Sequence, residues 1–118
     1  MYSGNTEIMK LLIENGANVN LIDTAGETPL TYAIHCNNLE ATNLLIENGA
    51  NMNLIDGSGW LPLNVAIFAK KSEIAKLMIN KGADIDCIDN SGWTPISGAI
   101  FSNNMEIVKI LIAKGANL

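Results

Sequence analysis

Asp23, Asp56 and Asp89 stand 33 residues apart, and most of the chain keeps the same step. Gly26, Gly59 and Gly92 repeat it, as do Pro29, Pro62 and Pro95, and Ala33, Ala66 and Ala99. Gly49-Ala50, Gly82-Ala83 and Gly115-Ala116 close successive units, and Glu7 and Gly16-Ala17 extend the frame backwards. An interval of this size, held by Gly, Pro and Ala, constrains the fold more than any other feature. It marks a stacked array in which each unit is a small supersecondary element that cannot bury its apolar side alone. The frame predicts a single domain over residues 1–118: a partial repeat at 1–22, repeats at 23–55 and 56–88, and a near-complete repeat at 89–118.

Local signals predict two helices per unit. In the second unit Thr28 offers an N-cap oxygen, and Pro29 sits at the first helical position, where its missing N–H is no loss. That helix ends near Asn37, a residue that accepts positive φ at modest cost. Asn38 then caps a second helix, which stops at Gly49. The same plan predicts helices over about 62–69 and 72–80, then 95–102 and 105–113, as read from recurrence at the 33-residue step. In the first unit, residues 1–4 match the end of a first helix, with Met1 at the place of Ile34, Ile67 and Ile100. Residues 5–15 read as its second helix, with Ile8, Leu11 and Leu12 forming one apolar face. The corresponding inward sets are Leu44 and Leu45; Ile74, Leu77 and Met78; and Ile107, Ile110 and Leu111. Ala33, Ala66 and Ala99 mark close helix approach, since a larger side chain there would hold the units apart. Turn chemistry at Asp23-Thr24-Ala25-Gly26 predicts an extended finger that folds back on itself.

Composition narrows the function. Apolar residues make up 48% of the chain, enough for a packed core. No apolar run reaches the roughly 18 residues of a membrane span, and the N-terminus lacks a basic-then-apolar secretion signal. Net charge is −5, and the seven basic residues are scattered lysines. Nucleic-acid binding needs clustered positive charge, so no nucleic-acid partner is expected. Cys36 and Cys87 occupy unlike positions of two units and lack C-x-x-C spacing, which predicts reduced thiols in a reducing, cytoplasmic compartment.

Gly26-Glu27-Thr28-Pro29-Leu30, Gly59-Trp60-Leu61-Pro62-Leu63 and Gly92-Trp93-Thr94-Pro95-Ile96 resemble the ankyrin repeat, as do the Gly-Ala-Asn/Asp closures at 16, 49, 82 and 115. The resemblance covers essentially the whole chain. It implies an all-α repeat fold (an α-solenoid) of stacked antiparallel helix pairs with projecting β-hairpin loops, and a concave face formed by finger tips and inner helices. Three departures stand out. The His that usually follows Thr-Pro-Leu is Thr31, Asn64 and Ser97 here, so its hydrogen-bond network must be replaced or lost. Leu61 stands where Thr28 and Thr94 cap their helices, and Leu61→Thr is expected to stabilise by about 1 kcal/mol. The Gly expected between paired helices is Asn37, Lys70 and Asn103, with Lys70 the poorest fit to a left-handed turn. Both ends fall within a repeat, and Ile107, Ile110 and Leu111 look like internal positions. The expectation is a segment of a longer array, or a small array with frayed ends that is monomeric or associates weakly end to end.

No catalytic centre is expected. His35 is the only histidine, and one His without a neighbouring ligand type makes a poor metal site. Asp23, Asp56 and Asp89 form a row one repeat apart, not a converging acid–base pair, and read as carboxylates that accept finger N–H bonds. No catalytic residue, metal or cofactor is therefore assigned. By the resemblance, Asn20 and Asn53 sit where some eukaryotic members are hydroxylated, and Asp86 takes that place in the third unit. The simpler reading is that Asn closes the turn through its side chain. The informative pattern is apolar and aromatic. Trp60 and Trp93 share a finger-base position where the second unit has Glu27. Phe68 and Phe101 share the end of the first helix, where the second unit has His35. Ile55 and Ile88 repeat Ile22 just before the Asp. The resemblance implies that these position types tend to face the concave side. Glu27, His35, Ile55, Trp60, Phe68, Ile88, Trp93 and Phe101 are then the candidate partner-binding residues, since apolar strips with a polar rim mark interaction surfaces. The expected function is non-catalytic binding of an unidentified protein. The alternatives are a targeting or scaffold segment of a larger enzyme or of a bacterial effector secreted into a host cell, and a purely architectural spacer.

Overall fold

The computed structural model describes residues 3–116, with side chains from Thr6 onward. It contains α1 (Ser3–Glu14), α2 (Pro29–His35), α3 (Leu39–Glu47), α4 (Pro62–Phe68), α5 (Ser72–Asn80), α6 (Pro95–Phe101) and α7 (Met105–Ala113). Helices α2, α4 and α6 pack side by side in one row, and α1, α3, α5 and α7 form a second row across from them. The result is a two-layered rod with extents of 42 × 24 × 23 Å.

Both helices of a unit stop by the same device. Gly49 N–H donates to Ile46 O and Ala50 N–H to Leu45 O, the paired bonds of a Schellman end, with Gly49 at φ +96°. Asn37 ends α2 in the same way at φ 55° while the next residue, Asn38, caps α3 through Ala41 N–H. One dipeptide thus closes one helix and opens the next, which makes the hairpin between them tight.

The core is a line of small and branched residues along the seam between the rows. Ala33, Ala66 and Ala99 are buried, as their recurrence predicts. The inward face of the second helices differs from expectation. It runs i, i+1, i+4, as in Ala41, Thr42 and Leu45 or Ile74, Ala75 and Met78, while Leu44, Leu77 and Ile110 are only half-buried. In α1 the departure is larger. Ile8, Leu11 and Leu12 are 55%, 60% and 46% exposed, and Thr6 and Met9 are the buried pair. Among the described residues α1 has no first-row helix of its own unit to cover that face. It packs through its other side onto α3, where Asn38 donates to the Thr6 hydroxyl at 2.9 Å. Residues 3 and 4 belong to α1 itself and not to a preceding helix, and Met1 and Asn117 lie outside the described residues.

The fingers are turns without strand pairing among the described residues, in place of the expected β-hairpins. Asp23 N–H donates to Glu27 O, Asp56 N–H to Trp60 O and Asp89 N–H to Trp93 O. Each Asp Oδ1 also accepts two N–H groups of its own finger, so the three carboxylates act as the structural acceptors that their spacing predicts. A single backbone bond joins neighbouring fingers: Gly57 N–H to Gly26 O at 2.8 Å, and Asn90 N–H to Gly59 O at 3.0 Å. Two bonds are too few for a ladder, and the paired backbones at Gly26 and Gly57 are close enough that an added Cβ would fall 2.9 or 2.6 Å from the opposing Cα.

Candidate functional site: an aromatic surface at the finger bases

The finger turn delivers Trp60 and Trp93 to one place in each unit, because the Asp56 and Asp89 carboxylates bind their N–H groups. The last helical position of the first row delivers Phe68 and Phe101. These four rings form one connected group. Phe68 is its centre, edge-on to Trp60 and to Trp93 with centroids 5.1 Å away in each case. Phe101 lies 6.0 Å from Phe68 and 5.2 Å from Trp93. The two edge-to-face contacts of Phe68 with the tryptophans add about 1 kcal/mol each beyond area burial, whereas Phe101 meets the group at tilted angles near 55°. Gly98 makes room for the group, since a Cβ there would fall 3.1 Å from the Phe68 ring.

The rings are only partly covered. Trp60, Phe68 and Trp93 are half-buried, and Trp60 packs against the core with its covered side. Phe101 is 71% exposed. The group therefore combines packing and presentation: the covered edges tie the fingers to the first-row helices, and the remaining faces look outward.

Glu27 and His35 occupy the corresponding places of the second unit, and the fold brings them together as well, with Glu27 Oε1 3.6 Å from His35 Nε2. They line one open cleft of about 380 Å³ together with Asp56, Trp60 and Phe68. Six of the eight candidate residues are thus joined in one surface. Ile55 is half-buried and Ile88 is 61% exposed, and neither lines the cleft. Those isoleucines immediately precede the Asp that opens each finger turn.

Asp56 and Asp89 had no functional place in the pattern of apolar residues, yet one lines the cleft and the other anchors Trp93. Their spacing in register with the tryptophans was the signal available. Asn64 was also hidden. It is fully buried and donates to Asp89 Oδ2 at 3.2 Å and to Trp93 O at 3.0 Å, so it reaches forward to fix the next finger. Two acceptors facing Nδ2 set the orientation of the amide, and Asn64 Oδ1 has no hydrogen-bond partner. Thr31 and Ser97, at the same position, instead complete capping boxes with Thr28 and Thr94.

Leu61 requires a correction. It is 4% exposed and leaves α4 without a side-chain cap. Leu61→Thr would gain a cap worth about 1 kcal/mol but forfeit about 2 kcal/mol of apolar burial, so the expected stabilisation becomes a loss. Asn20 and Asn53 also differ from the simpler reading. Their turns are closed by Asn18 and Asn51. Asn20 itself spans to the next unit, donating to Gly49 O and accepting from Asn51 N–H, and Asn53 accepts from Asp84 N–H.

Neither Cys36 nor Cys87 is in a disulfide among the described residues. Cys87 donates to Asp84 Oδ2 at 3.0 Å, and that carboxylate pushes the thiol up to about 11, so it stays protonated and unreactive at neutral pH. No group of three or more His, Cys, Asp or Glu side chains among the described residues is placed to hold a metal ion. No helix among them is long and apolar enough to cross a membrane.

With the helix pairs, finger turns and their 33-residue register in view, comparison with known families is decisive. The model of ankyrin repeats in three copies matches residues 1–56 and 48–118. The chain belongs to the ankyrin-repeat family. Ankyrin repeats are generally non-catalytic protein–protein interaction modules, so a protein partner is the coarse functional expectation for this ankyrin array. No curated protein matches the chain.

Proposed function

We propose that this ankyrin array binds a partner protein on the concave face, through the ring group of Trp60, Phe68, Trp93 and Phe101, with Glu27 and His35 at its edge. The observation that carries the reading is the partial exposure of four rings in one connected group, led by Phe101 at 71%. Trp60, Phe68 and Trp93, held by edge-to-face contacts, lose little side-chain freedom on binding, and Trp is prominent among residues that dominate interface energies. Docking is then largely rigid-body, with a preformed surface meeting its partner.

Affinity capture from lysate of the source cells tests the reading. Wild type is compared with Trp60→Ala/Trp93→Ala and with Phe101→Ala, whose exposed ring can be removed with little effect on folding. The expected outcome is a protein retained by wild type and lost from both variants while circular dichroism of Phe101→Ala is unchanged. An identical set of captured proteins from all three would exclude the ring group as the docking surface and favour a spacer.

A further inference from the structure

The cleft between the second and third units differs from the rest of the ring surface in its charge. Its lining includes the rings of Trp60 and Phe68, held edge to face. It also includes two acidic residues, Glu27 and Asp56, with His35 beside Glu27. Asp56 is immobilised, because Oδ1 accepts from Ser58 N–H at 2.9 Å and from Trp60 N–H at 3.0 Å. Glu27 is steadied by His35 at 3.6 Å and by a backbone whose N–H is bound to Asp23. None of the seven lysines lines the cleft, and the chain carries a net charge of −5.

A ring face attracts a cation through its quadrupole, and a carboxylate attracts it through charge, so a site offering both selects a positively charged group. A volume of about 380 Å³, open at one side, has room for a long side chain entering from a bound segment. We propose that the cleft takes a basic side chain of the partner, arginine above all. Its guanidinium stacks on one ring of the nearly perpendicular Trp60–Phe68 pair and donates to Glu27, with Asp56 adding its field. Arginine suits the site because its planar group stacks on an aromatic face and still presents several donors to a carboxylate. The assignment rests on the ring surface being the docking face, and it adds the chemistry that the face selects.

The test uses the whole chain and a displayed library of random short peptides, selected on wild type and then screened against Trp60→Ala/Trp93→Ala and Phe101→Ala. Peptides that need the rings are expected to carry an arginine or lysine at one recurrent place. Replacing that residue by norleucine, or Glu27 by Gln, should each weaken binding about tenfold. The two changes together should weaken it little more than either alone, which a merely structural role of Glu27 would not produce. Ring-dependent peptides without a recurrent basic residue, or an unchanged affinity for Glu27→Gln, overturn the cleft assignment and leave the docking face standing. If no peptide is retained, or the retained peptides bind all variants alike, the docking face itself fails and the cleft assignment fails with it.

Discussion

The third unit and its two neighbours follow one plan with different local quality. In the second and fourth units, the first helix has a Thr cap and a capping box, and the second helix has an Asn cap. In the third, Leu61 and Lys71 stand at both caps and neither makes a side-chain cap bond. Its helix–helix turn places Lys70 at φ 61°, where the neighbours use Asn37 and Asn103. Yet this unit is the most deeply packed, with every residue from Leu61 to Ile67 buried and Phe68 at the centre of the ring group. Stacking on both sides compensates for weak local signals, as expected for a linear array in which each interface adds to the intrinsic stability of a unit. The lesson is that the middle of such an array can hold the sequence features that serve contact with a neighbour or partner, while its flanks keep the features that start and stop helices.

Breaking the junction between units should produce the largest effect. Gly26→Ala is expected to cost about 3 kcal/mol, because it combines φ +82° with a Cβ placed 2.9 Å from the Gly57 Cα. Gly92→Ala shares the left-handed backbone at φ +87° but meets nothing within 4 Å, and should cost about 1 kcal/mol. Urea unfolding of the pair separates crowding from backbone strain; equal losses would mean the finger junction contributes nothing.

The forward reach of Asn64 comes next. Asn64→Ala removes a buried hydrogen bond to Asp89 and a partly buried one to the Trp93 carbonyl, and leaves the carboxylate of Asp89, a residue only 4% exposed, short of a donor, for an expected loss of about 2 kcal/mol. Ser97→Ala, which breaks only a local capping box, should lose about 1 kcal/mol. The Asn64 variant should also change Trp fluorescence, through the released Trp93 carbonyl, and the Ser97 variant should do so less.

Smaller changes sharpen the contrast in local quality. Leu61→Thr should destabilise by about 1 kcal/mol, the excess of lost burial over the gained cap. A rise in melting temperature would show that capping outweighs burial even at the centre. Lys70→Gly should stabilise by up to about 1 kcal/mol, since it relieves a left-handed Lys and pays a smaller entropic term. Asn103→Gly, starting from a residue that already tolerates this backbone, should gain only a few tenths of a kcal/mol in the same thermal melt.

The repeat length, the helix pairs, their Schellman ends and the structural role of Asp23, Asp56 and Asp89 were all determined by sequence. Each depends on residues a few positions apart, whose backbone preferences and hydrogen bonds act within one unit and then recur. What lies 25 or more residues away in the chain was decided only by stacking. Leu61 could be read as a missing cap because its burial depends on neighbouring units. Ile8, Leu11 and Leu12 could be read as a core face because helical spacing does not say which side has a partner. The ring group and the cleft beside it were half legible: the pattern named the rings, Glu27 and His35, but only the stacking of units set Phe68 between two tryptophans and placed Asp56 in the cleft that Glu27 lines. Local physics repeats with the sequence, whereas the exposure of a side chain is a property of whatever the fold sets against it.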